Sequence, residues 1–148
     1  MKKMFESICV LGLMLTGIVC VVACSDKLDV QQVYEFDMAT LPVQKKIVMG
    51  EEAEIRCDLV RGGTYVETKY YIRYFQPDGK GQLRMEDGTV LLPNDLYPLE
   101  KESFRLYYKS LSTDQQTIDV YVVDSHGQAI QKSFSFNNES QDKEEIDE

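Results

Sequence analysis

The sequence predicts an all-β fold, a sandwich of seven or eight short strands, on three observations. After residue 30 no segment keeps apolar residues at helical spacing over three turns. Apolar and polar residues alternate instead with a period of two, and clusters of Gly, Pro, Asn and Asp separate the alternating runs. An uncharged run at one end and an acidic run at the other leave residues 33–137 as the folding unit.

Each element has its own signal. Tyr34, Phe36 and Met38 alternate in a first strand that stops at Pro42, whose nitrogen cannot donate to a ladder. Ile55, Cys57 and Leu59 share one face of a second strand, and Gly62-Gly63 turns the chain after it. Thr68 to Gln76 (TKYYIRYFQ) forms the next strand, closed by Pro77-Asp78-Gly79, and Gln82 to Met85 a short one. Asp87-Gly88 turns the chain into Thr89 to Leu92, and Pro93 to Pro98 reads as a loop. Phe104, Leu106 and Tyr108 oppose Arg105, Tyr107 and Lys109 in a half-buried strand. Ile118, Val120 and Val122 repeat that pattern, and Ser125-His126-Gly127 leads into Ile130 to Phe136.

Two stretches narrow the sandwich to an immunoglobulin-like one. Gly50 to Cys57 resembles the second strand of such domains, and Thr117 to Gln128 resembles their closing hairpin. True immunoglobulin domains carry a Trp and a second core cysteine, and this chain has neither at those places.

The N-terminus addresses the protein to an envelope. Met1-Lys2-Lys3 precedes an uncharged run from Ile8 to Ala23, shorter than the ~20 apolar residues of a spanning helix. The run ends in Val21-Val22-Ala23-Cys24, which resembles the lipobox of bacterial lipoproteins. That resemblance implies a signal peptide, residues 1–23, recognised through Val21, Val22 and Ala23 and cut before Cys24. The Cys24 thiolate then carries the lipid, being nucleophilic enough for the transfer, and residues 24–32 form a lipidated linker. At ~0.8 kcal/mol per buried CH₂, two or three acyl chains anchor a protein stably without spanning the bilayer. Ser25 follows the cysteine where an Asp favours inner-membrane retention in enterobacterial lipoproteins, so the expected place is the outer membrane, on its periplasmic or surface face.

Composition excludes several classes. The chain has a formal net charge of −9, and the segment NNESQDKEEIDE at residues 137–148 holds six acids and one lysine. Such a segment buries too little to offset its ordering entropy, so residues 138–148 are expected to be an acidic disordered tail. An acidic body argues against nucleic acid as a direct ligand, since duplex binding depends on cationic contacts to phosphate. With Cys24 acylated, Cys57 is the only thiol left, and His126 is the only histidine, so a Cys/His zinc site has no ligand set. Asp124-Ser125-His126 holds the residue types of a hydrolase triad, but triad members converge from separate segments, and three consecutive residues in a tight turn do not. Asp78-Gly79 and Asp87-Gly88 are hairpin signals, and no spacing matches a calcium loop. No catalytic residue, metal or cofactor is expected.

The run YFQPDGKGQLRMEDGTVLLPNDLYPLEKESFRLYY, with Thr113-Asp114-Gln115-Gln116 and the hairpin to Phe136, resembles the TraQ family of small lipoproteins from conjugative transposons of Bacteroides and relatives. The resemblance extends from Cys24 to about Asn138. It implies a non-enzymatic accessory role in an envelope-spanning DNA-transfer apparatus, with other proteins of that apparatus as partners. A carbohydrate- or peptidoglycan-binding sandwich, with tyrosines as stacking platforms, is the alternative.

One strand points to a docking surface. Thr68 to Gln76 has aromatics on both faces, and only one face can be core. If Tyr70, Ile72 and Tyr74 are core, then Tyr71, Arg73 and Phe75 lie outward beside Asp119, Tyr121 and Val123 of the strand expected next to it. An aromatic patch with an arginine in it is what interface centres are made of. Asn94, Asp95, Leu96 and Tyr97 form the second candidate surface.

Overall fold

The structure, a computed structural model, describes residues 33–63 and 67–138. The lipobox residues Val21, Val22, Ala23 and Cys24, and the tail past Asn138, lie outside the described residues.

The alternating runs form ten strands: β1 (Phe36–Thr40), β2 (Lys46–Ile47), β3 (Glu52–Arg61), β4 (Tyr70–Asp78), β5 (Gly81–Met85), β6 (Val90–Leu91), β7 (Tyr97–Leu99), β8 (Ser103–Ser110), β9 (Gln116–Asp124) and β10 (Ala129–Asn138). Seven have five residues or more, and these are the strands with a visible period; β2, β6 and β7 have two or three residues. Two of the short ones, β2 and β7, depart from the expected layout. Tyr97 and Pro98, expected in a loop, belong to β7, which pairs Tyr97 with Ile72 and Pro98 with Tyr71. An edge strand accepts the proline because its missing N–H would face outward. β10 runs to Asn138, one residue past the expected boundary of the domain.

The strands make two five-stranded sheets, β1-β3-β8-β5-β6 and β2-β10-β9-β4-β7. Among the described strands every pairing is antiparallel except that of β2 with β10. Pairing of β3 with β8 in one sheet and of β4 with β9 and β10 in the other is the order of an immunoglobulin-like sandwich. Pro42 interrupts the chain between β1 and β2, and the two halves join opposite sheets.

Between the sheets lie Met38, Ile55, Leu83, Leu91 and Leu106 from one side and Ile47, Ile72, Val120, Val122 and Phe136 from the other, all essentially without exposure. Each such side chain stabilises by about 1.5–3 kcal/mol, against about 0–1 kcal/mol for a surface ion pair, so the inward set decides the register and outward charges follow.

One end of the core is polar. Tyr108, stacked on Phe136 with ring centroids 4.9 Å apart, donates its hydroxyl proton to Gln116 Oε1 at 2.6 Å and accepts from Gln76 Nε2 at 2.7 Å. Gln116 Nε2 in turn donates to Ser110 Oγ at 2.6 Å. The network joins β8 to β4 and β9 across the sandwich, and burial pushes the Tyr108 phenol up to about 12. Gly81 is required beside it, because a Cβ there would fall on the Tyr108 ring. Gly79, in the β4–β5 turn, has φ +74°, and a Cβ there would meet Gln116 as well.

Candidate interaction surface

The β4–β9 register sets Tyr71 opposite Val123, Arg73 opposite Tyr121 and Phe75 opposite Asp119. Tyr70, Ile72 and Tyr74 point inward and are half-buried or buried, so the six outward residues form one block on the outer face, each half-buried. The rings of Phe75 and Tyr121 meet edge to face with centroids 5.6 Å apart. The Arg73 guanidinium lies 5.4 Å from the Tyr121 ring centre and 5.7 Å from that of Phe75. Cation and rings therefore hold one another in place, each contact worth about 0.5–1 kcal/mol at an exposed site. On the flanks β10 sets Gln131 beside Tyr121 and Ser133 beside Asp119, where the Ser133 hydroxyl donates to Asp119 Oδ1. On the other flank Pro98 of β7 lies beside Tyr71.

The electrostatics of Arg73 set it apart. The chain has five arginines. Arg56 and Arg105 pair with Glu54 at 2.9 and 3.2 Å, Arg84 holds Glu52 through two bonds of 2.7 and 2.9 Å, and Arg61 pairs with Glu102. Arg73 has no carboxylate among the described residues, and its Nε is buried with no hydrogen-bond partner. The alternation puts Arg73 in the patch but does not say which carboxylates fold within its reach.

The second candidate surface divides. Asn94 donates its backbone N–H to Tyr74 O at 2.9 Å and takes φ 69°, which Asn tolerates in a turn. The Tyr97 hydroxyl accepts from the Leu92 N–H at 3.0 Å, so Asn94 and Tyr97 hold the β6–β7 connection, while Asp95 and Leu96 stay exposed. Leu92, exposed to 58%, adds an apolar neighbour that the alternation did not single out. Beside this connection a groove of about 220 Å³ is lined by Met85, Glu86, Tyr97, Leu99, Lys101 and Phe104 among others.

The remaining polar motifs are used by turns. Asp124 is buried, and its Oδ1 accepts the backbone N–H of His126 at 2.9 Å and of Gln128 at 2.7 Å, closing the β9–β10 hairpin. Ser125 Oγ accepts from the Lys69 N–H, and His126 Nε2 lies 3.4 Å from Thr68 Oγ1. Asp87 accepts the Thr89 N–H at 2.9 Å, and that bond holds its carboxyl below the usual carboxylate range. Cys57 is buried between Ile55 and Leu59, and desolvation, with Asp58 adding to it, pushes its thiol up to about 12. Among the described residues no group of His, Cys, Asp and Glu is arranged to hold a metal ion.

A sequence model of the TraQ conjugal transfer protein matches residues 7–139. The chain belongs to that family. Solved structures agree with it. A lipoprotein from Bacteroides thetaiotaomicron, 64% identical, superposes with a TM-score of 0.67 over 82% of this chain and 93% of its own. A conjugative transposon lipoprotein from Bacteroides eggerthii, 42% identical, gives 0.67 over 72% and 100%. A conjugate transposon protein from Bacteroides vulgatus, 47% identical, gives 0.64 over 79% and 95%. These likenesses show that the same sandwich recurs in Bacteroides lipoproteins and conjugative transposon proteins. No curated protein matches the chain significantly.

Proposed function

We propose that the protein is a lipid-anchored, non-enzymatic accessory component of a conjugative DNA-transfer apparatus, and that it docks another protein on the outer β4–β9 face. Membership of the conjugal transfer family supports the setting, and the description of two similar solved proteins as lipoproteins supports the anchor. The anchor is Cys24, and residues 1–23 are the leader. Ser25 directs the mature chain to the outer membrane. The protein reaches the DNA through its partners, without binding nucleic acid.

The observation that carries the docking surface is the packed block of Phe75, Tyr121 and Arg73 on the outer face, with Tyr71 and Val123 beside it. Large rings already ordered before binding lose little entropy on contact, which is why such residues dominate interface energies. A sugar-binding surface needs open ring faces, and here the guanidinium lies against two of the rings, which favours a protein partner over carbohydrate or peptidoglycan. The test is a Tyr71→Ala, Tyr121→Ala double variant in the full chain. Its circular dichroism is expected to match wild type while the transfer frequency in cells falls. A folded variant that transfers DNA normally removes this face as the functional surface and leaves Asp95 and Leu96 as the next candidate. Retention of the chain on isolated cell-wall material, lost in the same variant, would favour the carbohydrate alternative.

A further inference from the structure

We infer that the occupant of the β4–β9 face is a second copy of this chain, an inference that rests on the proposed use of that face for protein contact. The register carries it. Arg73, Tyr121, Phe75 and Asp119 occupy the corners of a small block, with Arg73 opposite Tyr121 and Phe75 opposite Asp119. The charged residues therefore share one diagonal and the rings the other.

Such a block is complementary to itself. A two-fold axis lying in the interface along the Phe75–Tyr121 diagonal brings Arg73 of one copy onto Asp119 of the other, and the reverse, while like rings meet on the axis. An isologous contact has this property, residue i meeting j and j meeting i.

The charges are available for it. Diagonal neighbours on one sheet face lie within reach of long side chains, yet Arg73 does not pair with Asp119 in its own chain. Arg73 turns over the two rings, and Asp119 accepts from Ser133 instead. Every other arginine of the chain is paired with a carboxylate, so the one that has none among the described residues sits where a symmetric partner supplies its counter-ion.

The geometry is specific. With strands ~4.8 Å apart and two residues rising ~6.8 Å, the diagonal is inclined at about 35° to the strands, and the strands of the two copies cross at about 70°. Ala129, which pairs with Val123 on β10, falls on the same diagonal beyond Tyr121. Ser135, which pairs with Thr117, lies well off it.

Single-cysteine cross-linking of the full chain in membranes tests this, because Cys57 is buried, and the unsubstituted chain gives the background from the native cysteines. With a short bismaleimide, which spans the ~10 Å between packed sheets that a disulfide cannot, Ala129→Cys and Tyr121→Cys are expected to link into a species of twice the chain mass, and Ser135→Cys is expected to stay at background. Ala129 is exposed, so its substitution spares the fold if Tyr121→Cys does not. Adding Arg73→Asp to Ala129→Cys lowers the linked fraction about tenfold by setting like charges together. Adding Asp119→Arg to that variant restores it. Background linking at both axial positions, equal linking at Ser135→Cys, or no restoration by the charge exchange would overturn the dimer. If linking fails while the Tyr71→Ala, Tyr121→Ala variant still loses transfer, the dimer is wrong and the docking face stands.

Discussion

The two outer faces of the sandwich are built from the same alternation and have opposite chemistry. On the β3–β8 face Glu52, Glu54, Arg56, Arg84 and Arg105 interlock, and Arg84 lies 4.2 Å from the centre of the Tyr107 ring. Each of these five charges has a counter-charge, so a partner docking on them would have to break ion pairs before making its own. On the β4–β9 face the single guanidinium is held by rings, and among the described residues no carboxylate pairs with it. Pairing within a face closes it to strangers; a cation held by aromatics leaves the face ready for one.

The largest effect that would break this contrast concerns register. Cys57 is buried between Arg56 and Asp58, which both point to the charged face, so a slip by one residue would exchange the faces of β3. Raising the thiol from 9.0 to about 12 lowers its thiolate fraction about a thousandfold at pH 8. A thiol reagent should therefore label Cys57 far more slowly in the native protein than in denaturant. Rapid native labelling would show that Cys57 faces out.

Next in size is the functional asymmetry. Truncating Tyr71 and Tyr121 together is expected to lower transfer by about a hundredfold, the scale set by losing two interface anchors. Truncating Arg56 and Arg105 on the opposite face should leave transfer within experimental error. Equal losses from both pairs would mean that the charged face is also occupied.

A smaller effect falls on the seam that both faces share. Tyr108→Phe removes the hydroxyl that Gln76 and Gln116 both use, leaving an amide N–H and a carbonyl oxygen unpaired inside the core. The expected cost is about 1–3 kcal/mol by denaturant titration. A change below about half of that would show that the two glutamines repartner with each other.

How much of this was legible beforehand follows from strand length. β3, β4, β8, β9 and β10 run for eight to ten residues, enough for the period of two to show, and the outward set on β4 and β9 followed from it. β2 and β7 have two and three residues, too few for any period, and prolines on both sides of Tyr97 made that segment read as a loop. Most of the arginine pairs, such as Arg84 with Glu52 and Arg105 with Glu54, join different strands, so Arg73 was visible as a patch member but not as the exception. The polar end of the core was hidden for the same reason: Tyr108, Gln76 and Gln116 come from three strands, and two of them are glutamines that composition assigns to the surface.

The smallest effect sharpens the charged face itself. Arg84 holds Glu52 through two hydrogen bonds, and that contact, ahead of the opposing desolvation, lowers the Glu52 carboxyl below its usual 4.5. A carboxyl whose pKa is depressed on folding adds stability that is fully present above the unfolded value and is lost as pH falls through the folded one. The pair is largely solvated, so its contribution is screened and small. Arg84→Met should accordingly melt slightly below wild type at pH 7, and the gap should close as pH drops below the usual carboxylate range and Glu52 takes up its proton in both proteins. Added salt at pH 7 should narrow the same gap. A gap that persists at pH 2 would assign the Arg84 contribution to its packing on Tyr107 rather than to its charge, and the β3–β8 face would then be held, like its counterpart, by a guanidinium on a ring.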